Sequence, residues 1–359
     1  MQKSVLLGLL LWHALSGCSV DNTRQVRLSH AAYNQVLIQN KKEELLLNLV
    51  RLRYRDTPFF LDTSSVTTSF KAESKVGLSA RFPWYGSGRF LDPSGAITLS
   101  TAPTVSYVPI EGDEYFKNFL TPISLDELLV MTQSGWGIDR VFGIAVEQIN
   151  GVFNATAASG PTPVQAPDGA LRMEALLGAM RTMQMNGQMS WIRDDQGSVQ
   201  LYYPPNTGES PEKKLLTSSL GLTNEATKYS VSQSIEEKPS ERHVYIKTRS
   251  ILSMLFYLSQ NVQVPDEDLS RGLVTQTLDA KQQPFDWSQT PAGKRFRIQV
   301  SKEAPRHAAI QVRYRDHYFF IQDDDLETKS TFMLLNHLYA FQSGTSMRQG
   351  PALTLPVGG

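Results

Sequence analysis

The chain has 359 residues, with 35 basic and 35 acidic side chains, 41% hydrophobic residues and 19% charged ones. That balance argues against the clustered basic excess of a nucleic-acid footprint, and the composition is that of a globular chain rather than a disordered one. The length suits two modest domains or one large one, and a single cysteine leaves no disulfide to support them.

The first block carries the strongest signal. Lys3 precedes an apolar run from Val5 to Leu15, and Leu15-Ser16-Gly17-Cys18 follows. The run is too short for a transmembrane helix, which needs about 20 apolar residues, and it suits an export signal. The block resembles the signal peptide and lipobox of bacterial lipoproteins. That resemblance implies cleavage after Gly17 and a diacylglycerol on Cys18, with further acylation such as palmitate. An ordinary exported protein would carry an A-x-A-like cut site and paired cysteines, and this chain has neither. Ser19 resembles the residue that lets such lipoproteins pass to the outer membrane, whereas Asp at that position retains them in the inner one. Cleavage removes one charged residue, Lys3, leaving 34 basic against 35 acidic side chains and a net charge of −1. Several acyl chains together make release from the membrane negligible.

Beyond the signal peptide (1–17), residues 18–29 read as a polar tether. Residues 30–52 form a helix, with Ala32, Val36, Leu45, Leu49 and Leu52 at helical spacing. Pro58 ends it. Two alternating segments, Val66 to Ala72 and Val76 to Phe82, predict antiparallel strands of about seven residues about a Glu73-Ser74-Lys75 turn. Short strands follow at Ile97–Leu99 and Val105–Tyr107. Ser124 caps a helix, Gly135 and Gly137 break it, and Ile138 to Ile149 resumes it. The Pro- and Ala-rich segment 154–170 reads as a linker between an N-terminal module (30–153) and a C-terminal one (171–342). The second module contains a Met-rich helix from Leu171, a hairpin about Asp194–Gly197, and a short helix from Pro211. Strands follow at Tyr229–Ile235 and His243–Lys247, then an apolar helix from Ser250 to Val262. After a loop-like stretch the chain reads strands Phe296–Val300, Ala308–Tyr314 and Tyr318–Ile321, then a helix capped by Asp325. Residues 343–359 read as a flexible tail. The fold class is therefore α+β, with helices and short antiparallel strands.

One internal echo stands out. Arg53-Tyr54-Arg55-Asp56 precedes Phe59-Phe60-Leu61, and Arg313-Tyr314-Arg315-Asp316 precedes Phe319-Phe320-Ile321. It is too short for a structural repeat of 20–50 residues, and reads as coincidence or a shared way of turning into an apolar strand.

The run from Leu45 to Leu61, LLLNLVRLRYRDTPFFL, resembles the opening signature of a family of uncharacterised proteobacterial envelope lipoproteins. Pro103–Tyr107, Leu120–Ile123, Arg249–Ile251 and Lys329–Phe332 resemble the later blocks of that family. The resemblance covers most of the mature chain and implies an envelope location, with no particular activity.

The sequence offers no catalytic constellation. His30, His243, His307, His317 and His337 lack H-x-x-x-H or H-E-x-x-H spacing. His307 and His317 flank one predicted strand pair, and read as strand-end residues. Asp323-Asp324-Asp325 lacks the alternating ligands of a calcium loop. Ser210-Pro211-Glu212-Lys213 fits an S-x-x-K pattern without its companion motifs, and Ser at N-cap with Pro at N1 explains it. Arg51, Arg53 and Arg55 read as a solvated helix end. The expectation is a lipid-anchored outer-membrane lipoprotein facing the periplasm, a non-enzymatic binding or scaffold component with envelope protein partners and no cofactor, metal or nucleic acid. Two alternatives stand beside it: a cell-envelope hydrolase, and a subunit of an oligomeric pore or export complex. The second ranks low, because transmembrane strands need about 9–11 residues.

Overall fold

A computed structural model describes residues 22–81, 90–161, 167, 169–233 and 240–344, with side chains except at 22–33, 62–106, 114, 116, 206 and 343–344. Cys18, Ser19 and the signal peptide lie outside the described residues. The fold is α+β, as the sequence predicts.

Helix α1 (Asn22–Arg53) opens it. The expected tether is therefore helical from Asn22, and α1 runs about 48 Å at ~1.5 Å per residue. Its C-terminal half packs inward through Leu45, Leu46, Leu49, Val50 and Leu52, all buried.

The chain then enters β1 (Leu61–Arg81) and β2 (Phe90–Pro109). These form a two-stranded antiparallel ribbon in one register from Leu61↔Pro109 to Arg81↔Phe90, with one irregularity between Thr63 and Ser65. The expected turn at Glu73-Ser74-Lys75 is corrected: these residues pair with Thr98, Ile97 and Ala96 inside the ladder. Polar character there marks one face of a longer strand rather than a reversal. The short strands expected at 97–99 and 105–107 are parts of β2.

Two short helical segments follow, α2 (Gly112–Tyr115) and a π-helical turn Phe116–Leu120. Helix α3 (Leu125–Gln133) begins with a complete capping box: the Ser124 side chain accepts from the Glu127 amide, and Glu127 accepts from the Ser124 amide. Helix α4 (Ile138–Ala145) gives way to β3 (Val146–Ile149) and β4 (Val152–Phe153). The helix expected through Ile149 therefore stops at Ala145. This stretch is buried on nearly every side, so its apolar pattern carries no helical period to extend.

The next elements are α5 (Ala170–Met185), β5 (Ser190–Arg193), β6 (Val199–Tyr202), α6 (Pro211–Leu220), β7 (Lys228–Ser232), β8 (His243–Thr248), α7 (Ile251–Ser259) and α8 (Asp266–Ser270). Strands β9 (Gln299–Ser301), β10 (Ala308–Tyr314) and β11 (His317–Gln322) precede α9 (Leu326–Gly344).

A six-stranded sheet has the order β4-β3-β8-β7-β6-β5, and a second sheet has the order β10-β11-β9. All neighbours pair antiparallel except β7 and β8. The larger sheet takes β3 and β4 from before residue 154 and the other four strands from after 170. Buried side chains from Leu45 to Leu338 form one contiguous core. The boundary expected at 154–170 therefore does not divide two cores. Asn154, Ala155 and Ala158 are fully buried, and Thr156–Ser159 is a turn of 3-10 helix. Residues 162–166 and 168 of the expected linker lie outside the described residues; at 154–159 the small residues Ala155 and Ala158 signal close packing. Among the described residues no helix is long and apolar enough to cross a membrane.

Candidate functional site

The described residues hold no obvious reaction centre, but they hold a well-built root for the ribbon. The root grows from the end of α1. Asn48 is fully buried; its Nδ2 donates to the Phe59 carbonyl at 2.7 Å and its Oδ1 accepts from the Phe59 amide at 2.9 Å. Glu44 Oε1 accepts from the Leu61 amide at 3.1 Å. The Ile110 amide closes the base by donating to the Phe60 carbonyl at 3.1 Å. Phe60 lies against Phe119 with ring centroids 4.0 Å apart, and Phe119 against Tyr339 at 5.3 Å. The ribbon thus leaves the core through a fixed aromatic collar.

The two echoed segments meet beside this root. Tyr314 Oη donates to Asp56, and Arg315 Nη2 donates to Asp56 Oδ2 at 3.0 Å. The Arg315 guanidinium lies 4.7 Å from the Tyr54 ring centroid, and the Tyr54 and Tyr314 rings are 5.5 Å apart. Tyr54 Oη donates to Asp268 at 2.6 Å. Arg55 and Arg315, matching positions of the echo, both adopt positive φ, 59° and 46°. The echo is therefore a shared way of turning into an apolar strand, and the two turns dock on each other. Burial and the contact with Asp268 push the Tyr54 hydroxyl pKa well up. Burial works to raise the Asp56 pKa, but the bonds from Tyr314 and Arg315 outweigh it and hold the carboxyl below its ordinary 3.8.

The expected solvated helix end at Arg53 is corrected. Arg53 Nη1 donates to the Thr275 carbonyl at 2.9 Å, Arg55 reaches the Thr275 hydroxyl, and burial lowers the Arg53 pKa to about 10. The residues of the run from Leu45 to Leu61 are those that fix the direction of the ribbon.

A cavity of about 630 Å3 adjoins the root. Ile38 and Leu45 of α1, Phe60, Ile310, Ile321 and Met333 supply apolar walls, and Lys41, Lys42 and Lys329 stand at its polar margin. Its size lies in the range of small-molecule sites. Lys329 pairs with Asp323 at 2.6 Å, so part of the basic margin is already compensated. Glu44, its acidic member, serves the ribbon root.

A second node holds the core together. Arg249 is 1% exposed. Its Nη1 donates to the Val146 carbonyl at 2.7 Å, its Nη2 to the Asn154 carbonyl, and its Nε to Ser159 Oγ at 3.0 Å. Its guanidinium stacks 4.2 Å from the Tyr257 ring centroid, and Tyr257 Oη donates to Asn154 Oδ1 at 2.9 Å. Burial lowers the Arg249 pKa to about 10, so the group stays charged at neutral pH. This set ties 154–159 to the sheet and reads as structural.

The residues screened for chemistry fall apart in space. Ser210 Oγ accepts from the Lys213 backbone amide at 3.1 Å, the bond of a cap rather than of a catalytic Ser–Lys pair. His307 precedes β10, while His317 opens β11 at the turn, so the two stand at opposite ends of the hairpin, roughly 20 Å apart at ~3.3 Å per residue. His317 Nδ1 lies 3.1 Å from the Arg315 carbonyl. His337 meets the edge of Trp136 at 5.8 Å. The side chain of His30 lies outside the described residues. Asp325 caps α9, accepting from the Thr328 amide at 3.0 Å. Among the described residues no cluster of His, Cys, Asp and Glu could hold a metal ion.

One contact was not foreseen: Ser232 Oγ lies 2.8 Å from His243 Nε2, and His243 stacks on Tyr245 at 4.2 Å. The pair lies where β7 and β8 run parallel, Ser230 opposite His243. It is placed outside the lining of the 630 Å3 cavity.

No family model matches the chain, and no curated protein or solved structure matches it.

Proposed function

We propose that this chain is a lipid-anchored component of a cell-envelope assembly that works by binding rather than by catalysis. Acylation at Cys18 holds it in the outer membrane, Ser19 permits that sorting, and the folded part faces the periplasm. The observation that carries the binding reading is the ribbon. Strands of 21 and 20 residues leave the core from a rigid root, and among the described residues no third strand pairs with either. An isolated two-stranded ribbon is marginally stable in water, and its unpaired edges are templates for another chain. Such a ribbon is retained for what it pairs with.

The reading has two separable parts. For the anchor, Cys18→Ala should abolish radiolabelled palmitate incorporation, and Ser19→Asp should move the protein from the outer to the inner membrane fraction. Labelling that persists in the Cys18→Ala variant would remove the anchor. For the ribbon, residues 62–108 are replaced by an Asn-Gly turn, a short connection that suits the closed base at Phe60 and Ile110. Cross-linked complexes recovered from envelopes with the intact chain should be missing with the shortened one. An unchanged set of complexes would refute ribbon-mediated binding.

A further inference from the structure

The register of the ribbon sorts its residues by face. Directly opposed residues in an antiparallel pair share a face, and faces alternate along each strand. Beyond the irregularity at Thr63/Ser65, Val66, Phe70, Val76 and Leu78 of β1 fall on one face with Leu91 and Leu99 of β2. The opposite face carries Lys71, Glu73, Lys75, Arg81 and Asp92. Those five are all the charged residues of 65–81 and 90–106, so the first face carries none.

This pattern spans 17 residues of β1, about 55 Å at ~3.3 Å per residue. A strand crossing a bilayer needs only about 9–11 residues, tilted, and the lipid-facing band of an outer-membrane barrel is about 25 Å tall. The sequence places the ribbon in one length class and the structure in another: strands of about seven residues are too short to cross, whereas strands of 21 and 20 residues are more than long enough. The nine residues between Pro93 and Pro103 are free of the donor gaps that proline makes in a strand edge. The irregularity near the root is also placed where a barrel would meet the folded body, since bulges concentrate at barrel rims.

We infer that the ribbon is the membrane-inserting hairpin of a β-barrel assembled from several copies of this chain. Each copy gives two strands, with the uncharged face toward lipid and the charged face toward a water-filled lumen. This inference rests on the proposed envelope anchoring and names its partners as further copies and the bilayer. Two requirements lead to it. A charge-free face over 17 residues, mostly apolar and broken only by the hydroxyl residues Thr68, Ser74 and Thr101, suits an apolar surround, and a bilayer supplies one on all sides. Inside hydrocarbon every backbone donor and acceptor must be paired, so both edges of the ribbon must meet other strands and the sheet must close. One hairpin cannot close; known barrels have about eight strands or more, so at least about four copies are required.

The test uses the full lipidated chain, extracted in detergent and added to planar bilayers of phospholipid alone. The intact protein should run as one discrete oligomer of about four copies or more and give step-like conductance. Val76→Asp puts a charge on the lipid face, and should lower channel-forming activity at least tenfold. Lys75→Asp puts the same residue next door on the lumen face; it should keep conductance and shift ion selectivity toward cations. Both variants alter the ribbon outside the core, so matching thermal melts confirm that neither has simply unfolded. A monomeric, non-conducting wild type would overturn the inference, as would a Val76→Asp variant that conducts like wild type. If the monomer nevertheless cross-links through its ribbon to a different envelope protein, the barrel fails while the envelope-component reading stands. If envelope complexes do not depend on the ribbon at all, both fail.

Discussion

Replacing Arg249 by Met is the sharpest test of how the core is held. Methionine keeps much of the apolar stem and removes the donors. The Val146 and Asn154 carbonyls then lose their closest bonds, and a buried acceptor left unpaired costs about 1–3 kcal/mol, roughly 2–6 kcal/mol for the two. The stack on Tyr257 adds about 1–2 kcal/mol when desolvated. Against this, the substitution relieves the burial of a charge. Burial draws the Arg249 pKa from 12.5 to about 10, a cost of roughly 3 kcal/mol. The balance is a loss of between about 0 and 5 kcal/mol, with a midpoint that is a large share of the roughly 5–15 kcal/mol typical of a folded domain. Urea unfolding of protein lacking residues 1–21 measures it. A second readout is local: Nη2 and Nε hold Asn154 and Ser159, so limited proteolysis should spare 154–159 in the wild type and cut there early in Arg249→Met. A variant clearly more stable than wild type, or one cut at 154–159 no earlier than wild type, would refute the reasoning.

Three further outcomes follow from the geometry. The Asp56 pKa is lower in the folded chain than in the unfolded one, so its contribution is present above pH about 4 and is lost as pH falls through the folded value; the stability gap between wild type and Asp56→Asn should therefore shrink in acid, and a gap constant from pH 7 to 3 would count against the Tyr314–Asp56–Arg315 contact. A Cβ at Gly293 would lie 1.9 Å from the Trp287 carbonyl oxygen and 2.6 Å from Asn261 Oδ1; Gly293→Ala should lower stability by about 1–3 kcal/mol as the backbone shifts, and an unchanged melting temperature would contradict that packing. Single Ala substitutions at Ser210, Ser232, His243, His307 and His317 should each leave a deletion strain complemented at unchanged protein level, because removing a true catalytic group commonly costs orders of magnitude; failure at both Ser232 and His243 would point to the hydrolase.

Local signals were the most legible in the sequence. Ser124, Ser210 and Asp325 each cap the helix that the sequence assigns to them, because a cap is decided within four residues. The hairpin about Asp194–Gly197 forms for the same reason. The sequence suggests a reversal inside the ribbon because Glu73-Ser74-Lys75 has the composition of a turn. Yet the alternation Phe70, Ala72, Ser74, Val76 passes through it without a change of parity, and that continuity was the available signal. The segment 154–170 is ambiguous in the sequence because small residues suit both a linker and a tightly packed turn, and for 154–159 the contacts of Arg249, some 90 positions away, decide between them. The docking of the two Arg-Tyr-Arg-Asp turns was visible as an echo, but their meeting depends on tertiary contacts such as Tyr314 to Asp56. The proposed lipid attachment at Cys18 and sorting role of Ser19 rest on the sequence alone, since both residues lie outside the described ones.

The most direct measurement of the central claim is photo-cross-linking in intact cells from single positions on the ribbon. Suitable sites are Tyr107 at its root, exposed at 42%, and Ser69 and Lys75 further along β1. A binding element predicts discrete adducts of higher mass from all three sites, in the outer-membrane fraction, and none from a control site such as Lys214, exposed on α6. A ribbon that yields only the uncross-linked monomer at every site would contradict the account.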